Sequence, residues 1–248
     1  FTEAYRFSGP GTFTGYYNAR TFVVADTKNP KWHTELIKMA DRTIELGANS
    51  VFYDQLGYCE PVTNWDLSKE FPIPNTRVIT DKAQALKMIH DYIGTKDKDF
   101  AIGTEVFCDV TAQHVDFVHN LIGATSSVSF TDWVRYTFPE VVLSDREIRD
   151  DTDIERRVNH AVLKGLINDV EIYRCRDLID KTPNYQQYLA EINKIKDKYS
   201  FLLLQGKYCD TDNFSINNKD VQARSFVNGN QMAIVLTQST KDVATVQV

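Results

Sequence analysis

The chain of 248 residues is 42% hydrophobic and 12% aromatic, which is ample for one sizeable core with a small appended domain. Its net charge of −6, from 34 acids against 28 bases, leaves no basic surplus to displace counterions and argues against a nucleic-acid partner. No apolar run approaches the roughly 20 residues that span a bilayer, so no membrane span is expected.

The first 20 residues are rich in glycine and aromatics, with Gly9-Pro10-Gly11 as a turn signal. Thr21-Phe22-Val23-Val24-Ala25 reads as a strand ending at Asp26, and the turn formers that follow Asp26 make it a turn residue. Residues 32–46 read as a helix with Leu36, Ile37, Ala40 and Ile44 on one stripe and Gly47 just past its end. Ser50-Val51-Phe52-Tyr53-Asp54 is a second strand, followed by a long proline-bearing loop that holds Tyr58, Trp65 and Phe71. A helix over 81–93 turns Leu86, Ile89 and Ile93 to one face. A strand over 100–106 follows, then a helix predicted over 111–122 with Val115 and Val118 inward.

Residues 128–134 and 141–143 read as further short strands. The mixed-charge run 145–151 reads as a solvated turn, with Asp151 or Thr152 capping a helix over 152–166. Thr182-Pro183 opens another helix as N-cap and N1, carrying Tyr188, Leu189, Ile192, Ile195 and Tyr199. After Gly206 the pattern changes to a hairpin, 222–226 and 232–236 about Asn228-Gly229-Asn230, with a third strand over 242–248.

The alternation of strands and helices marks an α/β protein with a parallel sheet. The expected fold is a (β/α) TIM-type barrel over residues 1–205, followed by a small antiparallel β domain over 206–248. A full barrel typically takes about 250 residues, and roughly four to six barrel strands are visible, so the barrel is expected to be partial or irregular.

Asp54 and Glu105 each close a short apolar strand. A barrel builds its active site at the carboxyl ends of its strands. Two acids there are the minimum equipment for splitting a glycosidic bond, one as nucleophile or base and the other as proton donor. Tyr53, Tyr58, Trp65 and Trp133 are candidates for binding sugar, because an aromatic face matches the apolar face of a pyranose; Tyr136 is a further one. Asp109 is a candidate for substrate binding or the cap of the helix after it, and Arg146 could hold a carboxylate or hydroxyl.

His114 and His119 stand about 140° apart on a helix and cannot chelate one metal as an i, i+4 pair does. Cys59, Cys108, Cys175 and Cys209 form no metal-binding cluster and read as buried thiols; the alternative is a disulfide between Cys59 and Cys108, each of which follows a strand end. No phosphate-binding or dinucleotide fingerprint is present, so neither cofactor nor metal is expected. Two other classes stay open: a non-catalytic carbohydrate-binding protein, and a barrel hydrolase that uses Asp54 to hold a metal.

The stretch from Ala48 to Gly57, with Asp54 near its end, resembles the acid-bearing strand of a clan of bacterial TIM-barrel glycoside hydrolases. Ile102-Gly103-Thr104-Glu105 resembles the acid-bearing strand that follows it, and Tyr136-Thr137-Phe138-Pro139-Glu140 a later motif. The run from Pro183 to Gly206 is similar to the helix that closes such a barrel before a β-sandwich. The resemblance covers most of residues 30–248 and is nearest to an uncharacterised glycosidase-like domain. It implies a carbohydrate substrate, Asp54 as the nucleophile-type acid and Glu105 as acid/base. It also implies a periplasmic or extracellular location, although no signal peptide stands in the sequence. The oligomeric state is left open.

Overall fold

The computed structural model describes residues 5–6, 24–57, 78–119, 128–172, 177–238 and 243–248, with the side chains of 5–6, 24, 128–130 and 146–149 outside that description. Its contacts divide the chain into two compact units, Phe1–Phe117 and Val118–Val248.

In the first unit, β1 (Tyr5–Arg6) pairs antiparallel with β2 (Val24–Ala25). Asp26 then makes the expected turn, its carboxylate accepting from the Lys28 amide at 3.1 Å and its carbonyl from the Asn29 amide at 3.0 Å. Helix α1 (Pro30–Glu45) starts at Asn29, whose side chain accepts from the Lys31 amide, and Pro30 sits in its first turn. It buries Leu36 and Ala40 and ends before Gly47, which takes the left-handed φ of +79°. Strand β3 (Ser50–Tyr53) packs under it, and the Tyr53 hydroxyl donates to the Leu36 carbonyl at 2.8 Å. Helix α2 (Val78–Gly94) buries Leu86, Ile89 and Ile93 and joins α1 through the Tyr92 hydroxyl, which bonds Asp41 at 2.7 Å. Strand β4 (Ala101–Glu105) lies parallel to β3.

The helix expected over 111–122 does not form. A 3-10 turn over Ala112–His114 leads into β5 (Phe117–His119). The three-residue spacing of Val115 and Val118 suits a helix face, whereas a strand would turn them to opposite faces, and Asp116 overrides that local signal. Its amide donates to the Ile102 carbonyl at 2.8 Å and its carboxylate accepts from the Ile102 amide at 2.8 Å, which lays the chain beside β4.

In the second unit, residues 128–134 are not a strand but part of helix α3 (Val128–Thr137). Thr131, Asp132, Val134 and Arg135 are its buried residues. Two of these are charged, so the apolar stripe that would have marked a helix is missing from the sequence. Strand β6 (Val142–Arg149) runs on through the charged stretch expected to be a solvated turn, with Asp145 buried inside it. Helix α4 (Ile154–Leu163) and β7 (Ile167–Ile172) follow, with β7 parallel to β6 and absent from the sequence-based expectation.

Helix α5 (Pro183–Lys198) keeps Pro183 in its first turn. Thr182 does not cap it through its side chain, since its hydroxyl donates to the Ile179 carbonyl at 3.0 Å. The Asp151 carboxylate accepts from the Tyr185 amide at 3.0 Å and from the Asn184 amide at 3.3 Å instead. Val158, Ile172, Tyr185 and Leu189 make one buried cluster among α4, β7 and α5. The large sheet is α/β in type: five parallel strands lie in the order β3-β4-β5-β6-β7, and along the chain α2, α3 and α4 connect all but β4 and β5.

Past α6 (Ser200–Leu203), a three-stranded antiparallel sheet is ordered β10-β9-β8. The predicted hairpin is present as β9 (Val221–Asn228) and β10 (Gln231–Gln238), with Gly229 at φ +59° in its turn. Its third strand is β8 (Lys207–Tyr208), while residues 243–248 have no regular structure. The sheet belongs to the second unit and is tied to it by a buried polar knot. Asp132 accepts from Lys164 at 2.5 Å, from Arg224 at 2.9 and 2.6 Å, and from the Tyr208 hydroxyl. Burial alone would raise the Asp132 carboxyl, but the donors on it hold it below its usual range.

Two predictions follow from this packing. Asp132→Asn leaves Lys164 buried without its counter-charge and is expected to cost about 3–5 kcal/mol in urea unfolding. Lys164→Met in that background should recover much of the loss, and no recovery would contradict the pairing. The second concerns Lys196 on α5, which is buried and donates to the Leu166 carbonyl at 3.0 Å and to Asn168 at 2.9 Å. Burial pushes its ammonium down to about 8, against the pull of Asp145. The unfolded chain then holds more protons between about pH 8 and 10.5, so stability rises with pH in that window. Relative to Lys196→Met, the protein should gain up to about 3 kcal/mol across it, and equal pH slopes would contradict the burial.

Candidate active site

Strands β3 and β4 run in register, with Phe52 beside Gly103 and Tyr53 beside Thr104. Asp54 and Glu105 are the next residue on each strand. Neighbouring strands lie about 4.8 Å apart, so the two acids leave the sheet side by side. Each is followed at once by a residue in the left-handed region, Gln55 at φ +57° and Val106 at φ +58°. Such a φ is uncommon for any side chain and strained for a β-branched one.

The turn after Asp54 is clamped to β4. The Thr104 hydroxyl, fully buried, donates to the Tyr53 carbonyl at 3.0 Å and accepts from the Gly57 amide at 2.7 Å. The Thr111 hydroxyl donates to the Gly57 carbonyl at 3.0 Å and accepts from the Cys108 amide at 2.9 Å. Gly57 is required there, because a Cβ would meet the Thr104 methyl and would lie 2.5 Å from the Val106 carbonyl oxygen.

The sheet face away from α1 carries an aromatic floor. Phe117 lies over Gly103, where any Cβ would run into its ring. It stacks on Phe52 with centroids 6.4 Å apart and planes at 25°. Phe52 is 42% exposed. By strand alternation Glu105 shares the face of Gly103. Glu105 is half-buried and Asp54 is exposed.

The other candidates fall in different places. Tyr53 is buried on the α1 side and spends its hydroxyl on Leu36. Asp109 is exposed in the turn before the 3-10 segment and does not cap it, since Thr111 holds the cap position. Trp133, 58% exposed, and Tyr136 lie on α3 in the second unit, where the Tyr136 hydroxyl donates to Asp212 at 2.9 Å. Arg146 lies on β6 in register with Asp169 of β7. Tyr58 and Trp65 lie outside the described residues. Cys108 and Cys209 are free thiols.

Sequence reasoning missed Phe52 and Phe117. The first could have been found by stepping back two residues from Asp54 along the strand; the second lay in a segment read as helix. It also read His119 as an ordinary helix residue, whereas His119 ends β5 with its Nδ1 against the Asp169 carboxylate. Among the described residues no three His, Cys, Asp or Glu side chains gather as a metal site, and no helix is long and apolar enough to cross a membrane.

No family model matches the chain, and no curated protein matches it.

A contrast between two neighbours tests the clamp. Gly57→Ala is expected to cost about 1–3 kcal/mol, as other overpacked sites do. Gln55→Gly, exposed and left-handed, should be neutral or stabilise by up to about 1 kcal/mol. Equal effects in urea unfolding would contradict the turn geometry.

Proposed function

We propose that the protein is a glycoside hydrolase that cleaves an oligo- or polysaccharide with Asp54 and Glu105, on a sheet wound as in a (β/α) barrel. The observation that carries the reading is that both acids end adjacent parallel strands at the same register level. The strand order supports the barrel-type winding. A doubly wound sheet reverses its order at a switch point, whereas this one follows the chain throughout. The aromatic floor of Phe52 and Phe117 supports a sugar ligand, since it offers a flat apolar surface beside the acids.

The spacing of neighbouring strands favours a close pair of about 5–5.5 Å, the separation of retaining enzymes. Asp54 then attacks the anomeric carbon while Glu105 gives its proton to the departing glycosidic oxygen. Water enters next, Glu105 takes its proton, and the bond between the sugar and Asp54 breaks. Neither step calls for a metal or cofactor. The periplasmic or extracellular location belongs to the same proposal and rests on the resemblance of the two acid-bearing strands.

The test is turnover of a panel of aryl glycosides. Asp54→Asn and Glu105→Gln are each expected to lower kcat by at least about a hundredfold with little change in Tm. Activity equal to the wild type in either variant would refute the assignment. Sugar binding without turnover in the wild type would favour a carbohydrate-binding protein.

A further inference from the structure

Strand β10 closes one edge of the three-stranded sheet, and among the described residues no strand pairs with its outer side. Its eight residues, Gln-Met-Ala-Ile-Val-Leu-Thr-Gln, include no charge and no proline. Exposed edges usually carry such residues, or are bulged or very short, because a free edge recruits other strands. Here none of these devices is present, and Met232 and Leu236 are 43% and 44% exposed.

The hairpin register fixes which backbone groups face outward. Asn228 and Gln231 flank a two-residue turn and form a hydrogen-bonded pair. Bonding alternates from there, so Gln231, Ala233, Val235 and Thr237 bond to β9. Met232, Ile234 and Leu236 turn their N–H and C=O groups away from it.

We propose that β10 pairs antiparallel with β10 of a second copy of this chain, about a two-fold axis at Ile234. That register sets Ile234 beside the partner's Ile234 and Met232 beside the partner's Leu236, using all the outward groups of these three residues. Every cross-strand pair along the seam is apolar or uncharged, so the strand is complementary to itself with no like-charge clash. Residues 245 and 247 are engaged elsewhere: the Gln247 amide donates to Asn217 at 3.0 Å, and Asn218 donates to the Thr245 carbonyl at 3.4 Å. The inference is independent of the glycosidase reading.

Sedimentation velocity over a range of concentrations tests it. The wild type is expected at twice the 28.4 kDa chain mass. Ile234→Lys and Leu236→Lys should each fall to the single-chain mass with unchanged circular dichroism. Hydrogen exchange checks that the fold survives: the Met232 and Leu236 amides should speed up in Ile234→Lys, while Ala233 and Val235 keep their protection. A wild type at single-chain mass throughout would overturn the proposal. So would variants that stay dimeric, or a dimer whose Met232 and Leu236 amides exchange freely. Protected edge amides in a monomer would mean that a segment of the same chain covers β10, and that too overturns it.

Discussion

The hydroxyl of Thr104 sits where β3 would otherwise run on past Tyr53. It donates to the carbonyl of Tyr53 and accepts the amide of Gly57, so the chain between them has to fold back. Buried in a dry position, it leaves neither backbone group unsatisfied, which is why the turn holds despite the left-handed Gln55. The consequence is that β3 ends level with β4, and Asp54 and Glu105 leave the sheet together. From below, Tyr53 pins the same strand to α1. The place of the two acids is therefore set by groups that bear no charge themselves.

The second unit uses the opposite device. Its helices and its small sheet meet on charge, with Lys164 and Arg224 converging on Asp132 while Arg224 also reaches Asp210 at 2.9 Å. Burial presses the Lys164 ammonium below its usual range, and Asp132 works against that. Buried ions add little net stability over apolar contacts, but they tolerate few alternatives in geometry. The knot fixes which face of β9 meets α3, and among the described residues no strand pairs with the outer side of β10.

How much of this was legible depended on where the polar residues went. Helices α1 and α2 could be read because Leu36, Ala40, Leu86, Ile89 and Ile93 follow helical spacing, and the hairpin because Gly229 demands a turn. Helix α3 was hidden because its buried face carries Arg135 and Asp132, and the partners of Asp132 lie far off in sequence. Only the start of strand β6 was legible, at 141–143; its continuation was hidden because Asp145 is buried in a charged run, near Lys196 of α5. Strand β5 owes its form to Asp116 bonding Ile102, a tertiary contact with no local signal. The two acids were visible as strand ends. Their shared register, the Phe52 and Phe117 floor, and the Asp169 contact of His119 were not, since each requires knowing which strands are neighbours.

The account stands or falls on whether Asp54 and Glu105 act on one sugar. Mechanism-based 2-fluoroglycosides test this directly, because they trap the covalent intermediate of a retaining pair. Digestion and mass spectrometry of the labelled protein then locate the sugar. The account predicts a single adduct on the Asp54 carboxylate, lost in Asp54→Asn. An adduct on any other residue, or hydrolysis of the parent glycosides with no adduct formed, would contradict it.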